Sequence, residues 1–304
     1  MGGLMNRQIR CTLILFTTAA IWGFAYVAQK LALGSVGPLT LNTLRGGIAF
    51  LFLIPCHRFL KWFDRKKGKA SKEYNNRTTI TAGIRSGIFL CLASVLQAYG
   101  IAGSEVGKAG FLTTLYIVLV PIFSIFIGKK CGAKVWFSVV LAMIGTYFLC
   151  VKTGFQIERS DLLLILCAVF FALDIVSIGT ICDQVDSVKM SIIQFMVSSA
   201  CTLLPAIFLE HSSHIQIWNA LPAILYSGVL SCGVGYTIEI IGQDGLNPTV
   251  ASLILSFESV FSLLAGWLFL KEYMSIKELT GCLIVVAAVI LAQLPERDHA
   301  KAAG

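Results

Sequence analysis

Residues 107–128 read GKAGFLTTLYIVLVPIFSIFIG, and this stretch decides the fold. It carries a single charge, on Lys108, and no acidic side chain. A helix of about 20 mostly apolar residues is long enough to cross the hydrocarbon core of a bilayer. The stretch therefore predicts a transmembrane helix.

Nine further apolar stretches have the same character. They lie at residues 11–33, 38–57, 80–101, 134–152, 160–181, 188–209, 218–241, 247–270 and 276–294. The first is too long for the apolar segment of a signal peptide, carries Trp22 and Tyr26, and is followed by other spans. The sequence therefore predicts an all-α integral membrane protein with ten transmembrane helices.

The composition excludes an ordinary soluble domain. Hydrophobic residues make up 57% of the 304 residues and charged residues only 13%, whereas soluble domains carry about 25% charged residues. The net charge of +8 does not indicate a nucleic-acid surface, because eight of the 24 basic residues lie in the single stretch 58–77 between two apolar runs. We expect no nucleic-acid partner.

The basic residues predict the orientation in the membrane. With the amino terminus inside, cytoplasmic segments hold 16 Lys and Arg and external segments hold five, the bias expected of membrane proteins. Both termini are therefore predicted to be cytoplasmic, in the plasma or inner membrane of the cell. Residues 58–79 are predicted to form a basic cytoplasmic loop, either a topology anchor or a patch that binds membrane lipid.

Cysteine and histidine give no sign of a metal or a cofactor. The ten cysteines form no C-x-x-C pair, and most lie inside apolar runs, where cysteine behaves as a small hydrophobic side chain. His211 and His214 lie in a polar connection with no cysteine nearby. We therefore expect neither a bound metal ion nor a cofactor.

The two halves of the chain resemble each other. Val120-Pro121-Ile122-Phe123-Ser124 matches Glu258-Ser259-Val260-Phe261-Ser262, and Ala20-Ile21-Trp22-Gly23-Phe24 matches Val169-Phe170-Phe171-Ala172-Leu173. The repeats are predicted at residues 11–152 and 160–294, with five spans each. Because five is odd, the second repeat must be inserted upside down relative to the first, which is an arrangement that many secondary transporters use.

The sequence resembles the EamA-like permeases of the drug/metabolite transporter superfamily over nearly its whole length. The resemblance is carried by Trp22-Gly23, by Arg45, by the segment AGFLTTLYIVLVP at 109–121, by Glu258, and by Leu270-Lys271-Glu272. It implies two five-helix halves around a central cavity, cytoplasmic termini, and movement of amino acids, metabolites or drugs, often by export. The sequence departs from the family pattern at Ser259, where a proline is common, and at Lys129-Lys130, where an acidic residue is common.

Arg45 and Asp174 are charged residues well inside their predicted spans, where a charge costs about 2.5–3.5 kcal/mol on insertion scales. Arg45 either clamps a substrate carboxylate or forms a structural ion pair with a neighbouring helix or a lipid phosphate. Asp174 matches Ala25 in the repeat. It either couples transport to protons or binds a substrate amine, or it is a neutral acid bonded to a backbone carbonyl.

Glu239 and Glu258 are the other two intramembrane acids. Glu239 shares a helix face with Tyr236 and Gln243, and either lines the cavity or extends to the membrane boundary. Glu258 lies midway along the ninth span, where helix packing alone explains it poorly.

Aromatic and amide side chains complete the candidate site. Trp22 and Tyr26, one turn apart, form either an aromatic wall for an organic substrate or part of the core. Gln97 and Tyr116 either contact substrate or make ordinary hydrogen bonds between helices. The predicted substrate-binding and coupling residues are Trp22, Tyr26, Arg45, Gln97, Tyr116, Asp174, Tyr236, Glu239 and Glu258.

The predicted function is a secondary, alternating-access carrier of small organic metabolites, not an enzyme. The alternatives are an integral-membrane enzyme, a channel and a scaffold. An enzyme would require a nucleophile with a base, or a metal site. The sequence has no G-x-S-x-G, H-E-x-x-H or P-loop motif, and no histidine lies near a span centre. Acids and one arginine within the membrane make an amino acid a candidate substrate and the proton a candidate coupling ion.

Overall fold

The computed structural model describes residues 2–66, 74–104, 106–129, 131–150, 158–271 and 275–294. These residues form ten helical spans in chain order. They are α1 (Gly2–Leu33), α2 (Pro38–Lys66), α3 (Asn76–Gly103), α4 (Val106–Thr114 and Tyr116–Phe126), α5 (Ala133–Cys150), α6 (Arg159–Gly179), α7 (Ser187–Leu209), α8 (His214–Gln243), α9 (Pro248–Leu255 and Phe257–Leu270) and α10 (Ile276–Gln293).

The prediction of ten helices is confirmed. In the described part of the chain, nine helices are long and apolar enough to cross a membrane, and the apolar segment of α5 is somewhat shorter. Capping side chains fix several helix starts. Asn75 accepts bonds from the backbone at the start of α3, and Asp186 does so at the start of α7. Ser275 and Glu278 form a capping box at the start of α10.

Three helices are not regular along their length. α4 is interrupted at Leu115 and α9 at Ser256. In α8, residues Tyr226–Gly235 form a π-helix between two α-helical ends. Such wide turns occur mostly at functional sites. The hydrophobic pattern predicted each span but none of these interruptions.

The long polar loop predicted at 58–79 is shorter in the structure. α2 continues to Lys66, and α3 begins at Asn76. Residues 58–66 contain neither glycine nor proline, so nothing local stops the helix where the hydrophobic run ends. The rest of the loop, residues 67–73, lies outside the described residues.

The packing of the helices repeats between the two halves. α1 packs against α8 and α9, and in the same way α6 packs against α3 and α4. The pair α2 with α7 and the pair α5 with α10 join the halves directly. Each helix of the first half corresponds to the helix five positions later in the second half. When corresponding helices are exchanged, the same pairs remain neighbours, as an inverted repeat of five helices requires.

Glycines allow the closest helix contacts. A Cβ atom on Gly87 of α3 would lie 2.8 Å from the backbone oxygen of Gln194 in α7. A Cβ atom on Gly23 of α1 would lie 2.8 Å from the backbone oxygen of Glu258 in α9. Larger side chains at these positions would push the two halves apart.

Polar contacts join the halves at both ends of the bundle. At the end where α1 begins, here called the terminal face, Arg7 pairs with Asp244 at 2.7 Å and Lys129 Nζ donates to the carbonyl of Gly179. At the opposite face, Lys108 pairs with Asp161 at 2.7 Å. The site therefore lies between two sets of contacts that hold the halves together.

Candidate functional site

The structure brings all nine predicted site residues to one central cavity between the halves. Its wall consists of Trp22, Ala25, Tyr26, Gln29, Arg45, Gln97, Thr113, Tyr116, Phe171, Asp174, Ile175, Ser231, Tyr236, Glu239 and Glu258. These residues come from both halves and from seven helices. The spacing along each helix predicted which side chains share a face, and the inverted packing places those faces opposite one another.

The internal repeat is visible in the cavity wall. Trp22, Ala25 and Tyr26 of α1 all line the cavity. Their counterparts in α6, at the predicted offset of 149 residues, are Phe171, Asp174 and Ile175, and these line it too. The same face of the first helix of each half therefore builds the site. The acid appears in only one half, because Asp174 stands where the first half has Ala25.

Arg45 lies in the cavity wall with only 5% of its surface exposed. Its Nη1 donates to Gln29 Oε1 at 2.7 Å, and its Nε and Nη2 donate to Asn42 Oδ1 at 3.0 and 2.7 Å. The ion pair with a neighbouring helix that the sequence left open is not formed with any described residue. Neutral amides hold the guanidinium group, so its positive charge has no acidic partner there.

Glu239 and Glu258 both present an oxygen without a hydrogen-bond partner among the described residues. Glu239 Oε1 accepts from Gln243 Nε2 at 2.9 Å, while Oε2 has no partner. The interpretation that Glu239 extends to the membrane boundary is wrong, since only 1% of it is exposed. Tyr116 Oη and Glu258 Oε1 make no hydrogen bond of normal length with a described residue, but the two side chains lie close enough to interact with each other across the same cavity. These atoms are available to a bound solute.

Asp174 accepts a short hydrogen bond of 2.6 Å from the hydroxyl of Ser86. The sequence left open a bond to a backbone carbonyl, but the described partner is this side chain on α3. The bond joins α3 of the first half to α6 of the second, at the edge of the cavity. Asp174 is therefore placed to respond to a relative movement of the halves.

Aromatic rings form one side of the cavity. The rings of Trp22 and Tyr236 lie 4.6 Å apart between centroids, and Phe195 packs on the far side of Tyr236 at 5.5 Å. The indole nitrogen of Trp22 donates to the carbonyl of Ser231, inside the π-helical part of α8. Gln97 donates to Tyr26 Oη at 3.3 Å.

The sequence reasoning did not single out four residues that shape the site. Gln29 lies seven residues after Trp22 and three after Tyr26 on one face of α1, so the helical period contained the signal. Asn42 lies one turn before Arg45 on the same face of α2, so the helical period contained that signal too. Ser86 and Ser231 act through long-range contacts, for which the sequence carries no local signal.

The free space between these side chains is about 30 Å³, room for about one or two water molecules. Within the described residues, no group of three His, Cys, Asp or Glu side chains is placed to hold a metal ion. The arrangement is a contracted, polar and aromatic cavity lined by one arginine and three acids.

Comparison with known proteins agrees with this architecture. The chain is 29% identical to an uncharacterized transporter of Archaeoglobus fulgidus, covering 95% of this chain and 87% of the relative. It is 23% identical to the uncharacterized transporter YoaV of Bacillus subtilis, covering 93% and 97%. A solved crystal structure superposes with a TM-score of 0.75 at 18% identity, covering 93% of this chain and 96% of the other, and shows the same fold.

The sequence model of the EamA-like transporter family matches this chain twice, at residues 9–151 and 159–294. The two matches together cover nearly the whole chain, one in each half. The chain therefore belongs to the EamA-like transporter family and is a multi-pass membrane transporter.

Proposed function

We propose that the protein is a secondary carrier that moves a small metabolite bearing both a carboxylate and an amino group, the chemistry of an amino acid. The observation that carries the proposal is Arg45, buried in the cavity wall and held by neutral amides. A guanidinium group binds carboxylates through parallel N–H bonds. Asn42 and Gln29 orient that group, and a substrate carboxylate would supply the missing negative charge.

The acids of the cavity would bind the amino group of the same substrate. Glu239 and Glu258 each offer an unpartnered carboxyl oxygen to the cavity, and such oxygens accept bonds from an ammonium group. Trp22 and Tyr236 present aromatic surface beside them, which suits the apolar part of a solute and also attracts a cation. A zwitterion matches both sides of the cavity at once.

The contacts between the halves at both ends of the bundle support transport by alternating access. Arg7–Asp244 and Lys129–Gly179 join the halves at the terminal face, and Lys108–Asp161 joins them at the opposite face. Breaking one set while keeping the other would open the cavity to one side only. We propose that this exchange, between two halves related by the inverted repeat, carries the solute across.

We further propose that protons drive the cycle. Asp174 and Glu258 both line the cavity and form no ion pair with any described residue, although the Arg85 guanidinium lies close enough to Asp174 to act on its charge. Asp174 also bonds across the two halves through Ser86. The proposed location is the cell membrane with both termini in the cytoplasm, and export is the direction that the sequence resemblance implies.

The test is uptake into proteoliposomes that contain the purified full-length protein. The panel comprises a labelled amino acid, the amine that lacks its carboxylate and the hydroxy acid that lacks its amino group, each measured with and without an imposed pH gradient. We expect saturable flux of the amino acid well above that of either analogue, and a rate that rises with the gradient. Asp174→Asn or Glu258→Gln should remove the response to the gradient.

Three results would each contradict a different part of the proposal. Equal flux of the amine and the amino acid would remove the role of Arg45 in carboxylate binding. Saturable flux that ignores the pH gradient would leave a carrier without proton coupling. Flux that does not saturate with concentration would favour a channel instead of a carrier.

A further inference from the structure

α2 is longer than a membrane span requires. It runs over the 29 residues Pro38–Lys66, and about 20 residues cross the hydrocarbon core at 1.5 Å per residue. The last two turns, residues 58–66, therefore continue into the lipid headgroup layer at the terminal face. We call residues 58–66 the α2 extension.

One side of the α2 extension is both basic and aromatic. At 3.6 residues per turn, Arg58, Trp62, Arg65 and Lys66 share one half of the helix circumference with Phe59, and Asp64 falls outside this arc. The five side chains of the arc are exposed, including 56% of Trp62 and 59% of Phe59. Their rings lie 6.0 Å apart, and Lys66 Nζ lies 5.2 Å from the Trp62 ring centre.

The other side of the extension is fixed to the second half. Lys61 Nζ lies 3.6 Å and His57 Nδ1 lies 3.8 Å from the carboxylate of Asp186, the residue that caps α7. This contact turns the basic and aromatic arc away from the protein. Arg58 and Arg65 form no ion pair with any described residue, so their charge faces the surroundings of the bundle.

We propose that the α2 extension binds the phosphate headgroup of an anionic phospholipid in the leaflet at the terminal face. Arg58 and Arg65 lie two turns apart on one face and offer fork-shaped donors, which bind phosphate oxygens in pairs. Trp62 and Phe59 are the side chains that favour the membrane–water interface, and they set the depth at which the arginines meet the headgroup. The charge of the arc selects an anionic over a zwitterionic lipid.

The experiment is native mass spectrometry of the full-length protein, titrated with phosphatidylglycerol or with phosphatidylcholine of the same acyl chains. The test variant is Arg58→Gln/Arg65→Gln. The matched control is Arg10→Gln/Arg77→Gln, which removes two exposed arginines elsewhere at the same end of the bundle. The wild type and the control should prefer phosphatidylglycerol, and the test variant should lose about fivefold of that preference for each arginine removed.

A second measurement locates the lipid. Phosphatidylglycerol with brominated chains should quench the fluorescence of the wild type more than brominated phosphatidylcholine does, and Trp62→Phe should remove most of this difference. Equal affinity of the wild type for both lipids would overturn the proposal. So would a control variant that loses as much preference as the test variant, because the effect would then belong to net charge alone. Neither readout depends on transport.

Discussion

Arg45 places a positive charge in the middle of the bundle, where the described structure provides only the amide oxygens of Gln29 and Asn42 as acceptors. Neutral acceptors stabilise a guanidinium group but leave its net charge unbalanced in a medium of low dielectric. Such a residue lowers the stability of the protein when no substrate is bound. A substrate carboxylate, as we propose, would supply the missing negative charge and offset this cost.

The first prediction concerns Arg45→Gln. Loss of a charge-assisted hydrogen bond costs about 1.5–3 kcal/mol, so the KM for a carboxylate-bearing substrate should rise by about 10- to 100-fold. Arg45→Lys keeps the charge but loses the planar fork and should recover only part of the affinity. Concentration-dependent uptake into proteoliposomes measures both. Arg77→Gln is the control, since Arg77 is exposed on α3 and lies outside the cavity wall.

The second prediction concerns Ser86→Ala, which removes the described hydrogen-bond partner of Asp174. If Asp174 couples transport to protons, its proton affinity should change, and the dependence of flux on pH should move while the KM for substrate stays within about twofold. Ser94→Ala, on the same helix but away from the cavity wall, should leave the pH profile unchanged. A wild-type profile in Ser86→Ala would mean that this bond does not tune Asp174.

The sequence largely predicted which residues line the cavity, but it did not predict which residues they contact. Helical spacing was enough to identify Trp22, Tyr26 and Asp174, because a face with polar groups inside a span must point away from lipid. The partners of these residues lie on distant segments. Ser86 is 88 residues from Asp174 in sequence, and nothing local to either position indicates the contact.

At the scale of the helix, one difference between the two halves concerns α3 and α8. α3 is α-helical throughout Asn76–Gly103, while its counterpart α8 contains the π-helix Tyr226–Gly235. The Ser231 carbonyl, inside this π-helix, accepts the bond from Trp22. Hydrophobic periodicity predicted α8 as a span, but a π-helix depends on such tertiary contacts and leaves the pattern of apolar residues unchanged.

The third prediction concerns the contact between α1 and α9. A methyl group added by Gly23→Ala would lie 2.8 Å from the Glu258 carbonyl oxygen and would also meet Phe261. Overpacking of this kind costs about 1–3 kcal/mol, so thermal unfolding of the purified protein should occur at a lower temperature. Gly47→Ala is the control, because the nearest atom to its added methyl group is 3.4 Å away. Equal unfolding temperatures for the two variants would contradict the described packing.

At the scale of the whole molecule, ion pairs join the halves at opposite faces of the bundle, and in the proposed cycle they would act in opposition. Arg7–Asp244 joins α1 to the end of α8, and Lys108–Asp161 joins α4 to the start of α6. Each pair connects the two halves at one face only. The odd number of spans in each half predicted the inverted packing that makes this possible, whereas the identity of the pairs required the structure.

The fourth prediction follows from this opposition. Asp244→Asn should increase access to the cavity from the terminal face by up to about fivefold, the upper range for an exposed ion pair. Asp161→Asn should increase access from the opposite face, and by more, since Asp161 is fully buried. An Ala25→Cys reporter in a cysteine-free background, labelled with a maleimide that does not cross membranes, measures access from each side.

The control for these variants is Lys30→Gln. Lys30 binds backbone carbonyls at the end of α3, so it joins two helices of the same half. Its loss should not change which side the reporter faces. If Asp244→Asn and Asp161→Asn both raised labelling from the same side, the proposed alternation between the faces would be wrong.

The π-helix in α8 has a consequence for the energetics of the transport cycle. If the two halves were identical, the outward-open form and the inward-open form of a carrier would have the same free energy. The empty protein would then populate both forms equally. Among the described residues the π-helix occurs in one half only, so the two forms of the proposed cycle would not be equivalent. Each 1.4 kcal/mol of difference between them would shift their ratio by about tenfold. A carrier that works as we propose would then have a preferred resting orientation and different apparent affinities on its two sides, before any gradient acts on it.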